Sequence, residues 1–180
     1  MKFKNLIEKA VATYMDDVIA WRRHIHQHPE VSGQEKETSA YIQGVLDSLG
    51  IPYKNDVFQY AVIGIIQGAK PGKTVALRAD MDALPIKEQT DLPFKSANDG
   101  VMHMAILLGA AAVLNSMKDH LCGTIKLVFQ PAEEEALING AKNILASGIL
   151  DDVEEIYGLH AWPDISVGKI GFKKGNLMAA

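Results

Sequence analysis

The stretch TIKLVFQPAEEE, residues 124–135, constrains the fold of this 180-residue chain more than any other. Five of its first six residues are β-branched or apolar, the signature of a central strand covered on both faces. Pro131 has no N–H to give to a ladder, so the strand should end at Gln130. Glu133, Glu134 and Glu135 then leave the carboxyl end of a sheet strand, the edge at which open α/β sheets bind ligands. Neighbouring carboxylates there suit a division of labour in which one holds a metal ion and the other moves a proton. A solvated acidic turn entering a helix would use the same residues, because Glu is favoured in a first helical turn. The triplet alone does not choose between the two.

The rest of the chain alternates strands and helices around this segment. Residues 5–28 place Leu6, Ala10, Tyr14, Val18 and Trp21 at near-helical spacing, and Pro29 marks the end. A second helix is predicted over residues 35–49, with Tyr41, Val45 and Leu49 on one face and Gly50 and Pro52 closing it. Residues 53–67 read as extended. The run Lys70-Pro71-Gly72-Lys73 reads as a hairpin turn before an apolar strand at 74–79. An apolar helix is predicted over 101–117 with Asp99 as its N-cap. After the central strand come a helix over 136–147 closed by Gly148, a strand near 155–160 and an extended piece at 167–172. This alternation predicts an α/β protein, a three-layer sandwich around a mostly parallel sheet.

Several function classes are disfavoured. The segment GAKPGKT (68–74) imitates a phosphate-binding loop, but three residues separate its glycines where four are needed, and a strand follows where a helix is needed. The net charge of −4 is dispersed and forms no basic stripe, which argues against nucleic acid. The longest apolar run, 104–114, is too short to span a bilayer, and the N-terminus has no apolar secretion core, so no membrane partner is expected. A single cysteine, Cys122, excludes an internal disulfide and fits a reducing compartment, with the cytoplasm as the expected location. Cys122 itself reads as a small core residue, and no nucleophile-elbow GxSxG occurs.

Three segments end strands with ligand-capable groups: Asp80 and Asp82, Glu133 to Glu135, and His160. Carboxylates and an imidazole gathered at one sheet edge suit a divalent ion, with zinc, manganese and cobalt all compatible. His24 and His28, at i and i+4, read instead as a solvated helix face.

At this point a family resemblance emerges. RRHIHQHPE (22–30), LRADMDALPIKEQTDLPFKS (77–96), LLGAAAVL (107–114), GTIKLVFQPAEE (123–134), GAKNILASGIL (140–150) and GLHAWPDISVGKIG (158–171) carry it in order along the chain. They resemble metal-dependent amidohydrolases of the aminoacylase/carboxypeptidase type, the group of hippurate hydrolases, auxin-conjugate hydrolases and N-acyl-amino-acid deacylases. The resemblance implies a zinc-peptidase-like catalytic domain with two metals at the sheet edge, cleaving the amide bond of N-acyl amino acids or small peptides. By motif position it implies that Glu133 is the general base, that Glu134 and His160 are metal ligands, and that Asp82, with Asp80 beside it, orients a ligand.

Two departures qualify what the resemblance implies. The family carries a segment similar to HACGHD before the LLGAAAVL helix, supplying a Cys and a His to the metals. This chain reads GVMHMAILLGAAAVL there, and His103 matches a flanking position. The family also continues beyond the counterpart of Ala180 into a second, smaller lid or dimerisation domain and a return to the catalytic domain, with a last metal-binding His. Residues 1–180 are therefore expected to be the N-terminal part of a catalytic domain, truncated and hydrolytically inactive on its own. The alternative is a non-catalytic remnant or interaction module that keeps the fold. Unpaired strand edges would then make the chain prone to form homo-oligomers.

Overall fold

The computed structural model describes residues 2–98, 105–161 and 164–172. Helix α1 (Lys2–Gln27) stops two residues before Pro29, and α2 (Lys36–Ser48) follows a short loop. The next elements are β1 (Tyr53–Lys54), β2 (Val62–Gln67) and β3 (Lys70–Asp80), then α3 (Ala105–Ser116) and β4 (Cys122–Gln130). Helix α4 (Gly140–Ala146) and strand β5 (Val153–Gly158) complete the described elements. The expected N-cap Asp99, His103 and the first turn of the 101–117 helix lie outside the described residues.

The sheet order is β1-β2-β4-β3-β5. β4 pairs parallel with β3, and β3 with β5, while β2 runs antiparallel to both β1 and β4. Four of the five strands therefore point one way and β2 alone opposes them, the mostly parallel sheet that the sequence predicts.

Helices cover both faces because the strands alternate. Leu127 and Phe129 face a core built with Ile25 of α1, Ile42, Val45 and Leu46 of α2, and Leu107, Leu108 and Ala111 of α3. Val128 points the other way, with Ile63 and Ala76, onto Ile144 of α4. This is a three-layer arrangement, and β4 is buried over its last five residues. Lys126 is the polar member of the α4 face. Its ammonium donates to the Ile149 carbonyl at 2.6 Å and pairs with Asp152, so the buried charge is met on both counts.

Four local readings are corrected. Residues 70–73 are not a hairpin turn but the irregular start of β3, and β4 lies between β2 and β3. Gly72 and Gly123 let the two backbones close in there: Gly123 has φ +78°, and a Cβ on it would lie 1.9 Å from the Lys73 carbonyl oxygen. Cys122 is exposed rather than a core residue, because it opens β4 ahead of the helix-covered stretch. Helix α4 begins at Gly140 instead of residue 136, since Asn139 adopts a left-handed conformation and its side chain accepts the Lys142 N–H at 3.0 Å. Residues 167–172 form no strand among the described residues; Val167, Ile170 and Phe172 are exposed and gain nothing from a ladder.

Candidate functional site

Three parallel strands, β4, β3 and β5, end side by side, and the segments leaving them carry the sequence-predicted site residues. Asp80 is the last residue of β3 and pairs in register with Gln130, the last of β4. Alternation along β3 puts Arg78 and Asp80 on one face. The Arg78 guanidinium donates from Nε to Gln130 Oε1 at 2.9 Å, pairs through Nη2 with Asp80 Oδ1 at 2.5 Å and lies 3.9 Å from Glu133 Oε1. One cation therefore spans both strand ends.

The carboxylates crowd this edge. Burial pushes the Asp80 carboxyl up to about 6; Arg78 opposes the rise, and Glu133, Asp82 and Glu134 add to it. Burial also raises Glu134, with Glu133 and Asp82 contributing, and His160 works in the opposite direction. Asp80, Asp82, Glu133, Glu134 and His160 thus share one electrostatic neighbourhood, built from three strand ends. Glu133, Glu134 and His160 are exposed, Asp80 is half-buried and Asp82 is buried. The His160 ring lies 2.5 Å from the Ala161 carbonyl through Nδ1.

A second tier of residues escaped the sequence reading. The loop before α2 lies against the chain leaving β3: the Ala83 N–H donates to the Glu30 carbonyl at 2.8 Å, and Val31 bridges Ala83. This brings Ser32 and Glu35 beneath the site. Asp82 Oδ2 accepts from the Ser32 hydroxyl at 2.6 Å and from the Glu134 N–H at 2.9 Å. Glu35, 0% exposed, accepts the Ala132 N–H at 2.7 Å. No motif signalled either role.

Of the His24–His28 pair, His28 is exposed as expected and His24 is less solvated than expected. His24 is half-buried and stacks on Tyr41 at 3.9 Å, beside a cleft of about 460 Å³, and burial followed by His28 lowers its pKa. Nδ1 of His28 is engaged with the His24 carbonyl at 2.8 Å.

In this α/β sandwich, carboxylates and an imidazole gather where parallel strands end, the edge at which such sheets bind ligands. Residues 76–175 match peptidase family M20/M25/M40, and the chain belongs to that family. It is 44% identical to thermostable carboxypeptidase 1 of Saccharolobus solfataricus, over 97% of this chain and 47% of the relative. It is also 44% identical to N-acetyl-L-cysteine deacetylase of Bacillus subtilis, over 94% of this chain and 42% of that enzyme. A crystal structure of a Bacillus subtilis dinuclear metal binding peptidase from the M20 family superposes with a TM-score of 0.85 at 42% identity, covering 91% of this chain and 48% of the other. The chain spans about half the length of the curated relatives it matches. No described helix is long and apolar enough to cross a membrane.

The Bacillus subtilis neighbour is a dinuclear metal binding peptidase, and the donors of this chain can be tested against such a site. Carboxylate and imidazole are the right types, and Asp82 Oδ1 is buried without a hydrogen-bond partner. Among the described residues, however, no three His, Cys, Asp or Glu side chains converge as a metal site requires. The described donors do not fit a complete site.

Proposed function

We propose that residues 1–180 form the N-terminal part of a catalytic domain that hydrolyses the amide bond of N-acyl amino acids or small peptides, and that the chain alone does not turn over. The observation that carries this reading is the meeting of Asp80, Asp82, Glu133 and Glu134 at the ends of adjacent parallel strands, beside His160. Glu133 is the general base in this proposal: exposed and 3.9 Å from Arg78, it takes a proton from the attacking water and returns it to the leaving amine. Glu134 and His160 are the metal ligands this chain contributes, and zinc, manganese and cobalt all suit such donors. Asp82 orients the Glu134 backbone, with Asp80 beside it. Catalytic zinc sites take three protein donors or more, so two ligands hold a metal loosely and the isolated chain is inactive.

Names of relatives support the substrate class, since one is a carboxypeptidase and another an N-acetyl-L-cysteine deacetylase. A single, exposed cysteine supports a reducing cytoplasmic location. Exposed Ile156, Tyr157 and Leu159 on and beside β5 support self-association of the isolated chain. The second reading, a non-catalytic module that retains the fold, draws on the missing third donor among the described residues.

Elemental analysis after exchange into zinc and manganese tests the proposal, with His160→Ala as control and N-acyl amino acid hydrolysis measured in parallel. Loosely held metal, weakened further in the variant, and no hydrolysis are expected. Two tightly held metals with chelator-sensitive hydrolysis would overturn the claim of inactivity. Metal binding indifferent to His160→Ala would favour the non-catalytic module.

A further inference from the structure

The turn that carries Glu133 is held from both sides by buried carboxylates. Glu35 Oε1 accepts the Ala132 N–H at 2.7 Å, and Asp82 Oδ2 accepts the Glu134 N–H at 2.9 Å. Glu133 is the residue between them. The two clamps come from distant parts of the chain: Glu35 precedes α2 and lies 97 positions from Ala132, while Asp82 follows β3.

The turn requires such restraint. Ala132 sits in the left-handed region at φ +52°, a conformation that a residue with a Cβ adopts only when its surroundings enforce it. On the far side of the turn, the Gly140 N–H donates to the Ala132 carbonyl at 3.3 Å, and a Cβ on Gly140 would lie 1.8 Å from the Pro131 oxygen. Ala132 itself is fully buried, so water cannot replace Glu35 as the acceptor of its N–H.

We infer that Glu35 is a positioning residue for Glu133, fixing through Ala132 the backbone from which the base projects. The inference rests on the reading of Glu133 as the base. Glu35 is buried and acts only through the turn. Its Oε2 has no hydrogen-bond partner, and burial raises its carboxyl pKa against the opposing backbone amides of Glu35, Ala132 and Gly33. A carboxamide offers Ala132 the same acceptor oxygen, so Glu35→Gln should preserve the clamp, Glu35→Ala should remove it, and Glu35→Asp should fall short by one methylene.

The test is amide hydrogen exchange by NMR on the whole chain, without metal or substrate. Protection at Ala132 should fall about tenfold in Glu35→Ala, as expected for a lost buried hydrogen bond, and should persist in Glu35→Gln. The Arg78 Nε–H resonance, which reports on its bond to Gln130 Oε1 in a guanidinium whose Nη2 lies 3.9 Å from Glu133, should move in Glu35→Ala and keep its position in Glu35→Gln. A residue that merely anchors α2 would leave that resonance in place. Unchanged Ala132 protection in Glu35→Ala, or equal loss in Glu35→Gln, would overturn the inference. Should Glu35→Ala fail to fold, Glu35→Asp decides: weakened Ala132 protection with a shifted Arg78 resonance supports the clamp, and wild-type values refute it. No readout uses turnover, so a failure of the hydrolase reading would be seen separately.

Discussion

Replacing Asp80 with Asn should stabilise this protein at neutral pH although it removes an ion pair. Asp80 is held by Arg78, but it also faces Glu133, Asp82 and Glu134, and burial has raised its carboxyl from 3.8 to about 6. An acid whose pKa is raised on folding binds its proton more tightly in the native state. Its favourable contribution is complete below the unfolded pKa and disappears as pH rises from about 4 through about 6. At about 1.4 kcal/mol per pH unit, the displacement corresponds to at most about 3 kcal/mol. The side chain is 34% exposed, so solvent screening brings this to about 1–2 kcal/mol. The opposing pull of Arg78 is already contained in that displacement, so the net gain expected at pH 7 is about 1–2 kcal/mol. Urea unfolding of both proteins at pH 4 and pH 7 measures it. Asp80→Asn should be more stable at pH 7 and close to wild type at pH 4. A destabilised variant at pH 7, or the same difference at both values, would refute the reasoning.

Glu88 should show the opposite sign. Its carboxyl accepts the Ser96 N–H at 2.7 Å and the Thr90 hydroxyl, with His26 Nε2 at 3.0 Å, and is held down at about 2. A depressed acid stabilises above its unfolded pKa and loses that contribution as pH falls through the folded one. Glu88→Gln should therefore melt earlier than wild type at pH 7, with the gap closing below pH 4.5 and gone near pH 2. Phe129→Ala empties a fully buried site on β4 and should cost about 3–5 kcal/mol in denaturant unfolding. Gly140→Ala would gain about 1 kcal/mol on helix propensity alone. The clash with the Pro131 oxygen should reverse that to a loss of about 1–3 kcal/mol, accompanied by faster amide exchange across α4. A stabilised Gly140→Ala would show that the turn yields easily.

The two carboxylates that should differ in sign also differ in purpose. Glu88 is met by donors from its own loop and by His26 of α1, an arrangement that only stabilises. Asp80 sits where three strand ends converge and faces like charges that Arg78 offsets only in part. A chain selected only to fold would place an amide or an apolar residue there. An edge that tolerates an electrostatic penalty is the usual mark of a site shaped for a ligand rather than for stability.

What the sequence reveals of this site depends on whether the information is local. Strand β4 ends at Gln130 as Pro131 demands, and the carboxylates follow it, because both facts are written in consecutive residues. The bulged start of β3 was hidden, since Lys70-Pro-Gly-Lys is good turn chemistry and the close approach of Gly72 to the opposing Gly123 lets it continue as strand. The order β4-β3-β5 is also non-local: the last three sheet strands come in the sequence as β3, β4, β5, yet β3 lies in the middle, and that alone sets Asp80 between Glu133 and His160. Glu35 is the extreme case. An acid just ahead of a helix is commonplace, and the segment VSGQEKET reads as an ordinary polar helix entry. Its burial follows from a backbone bond between residues 30 and 83, and its partner is an N–H presented by a left-handed alanine nearly a hundred residues on. Neither the alanine's conformation nor the approach of the two loops has a sequence signature, so a residue with a standing as strong as that of the motif carboxylates carries none of their legibility.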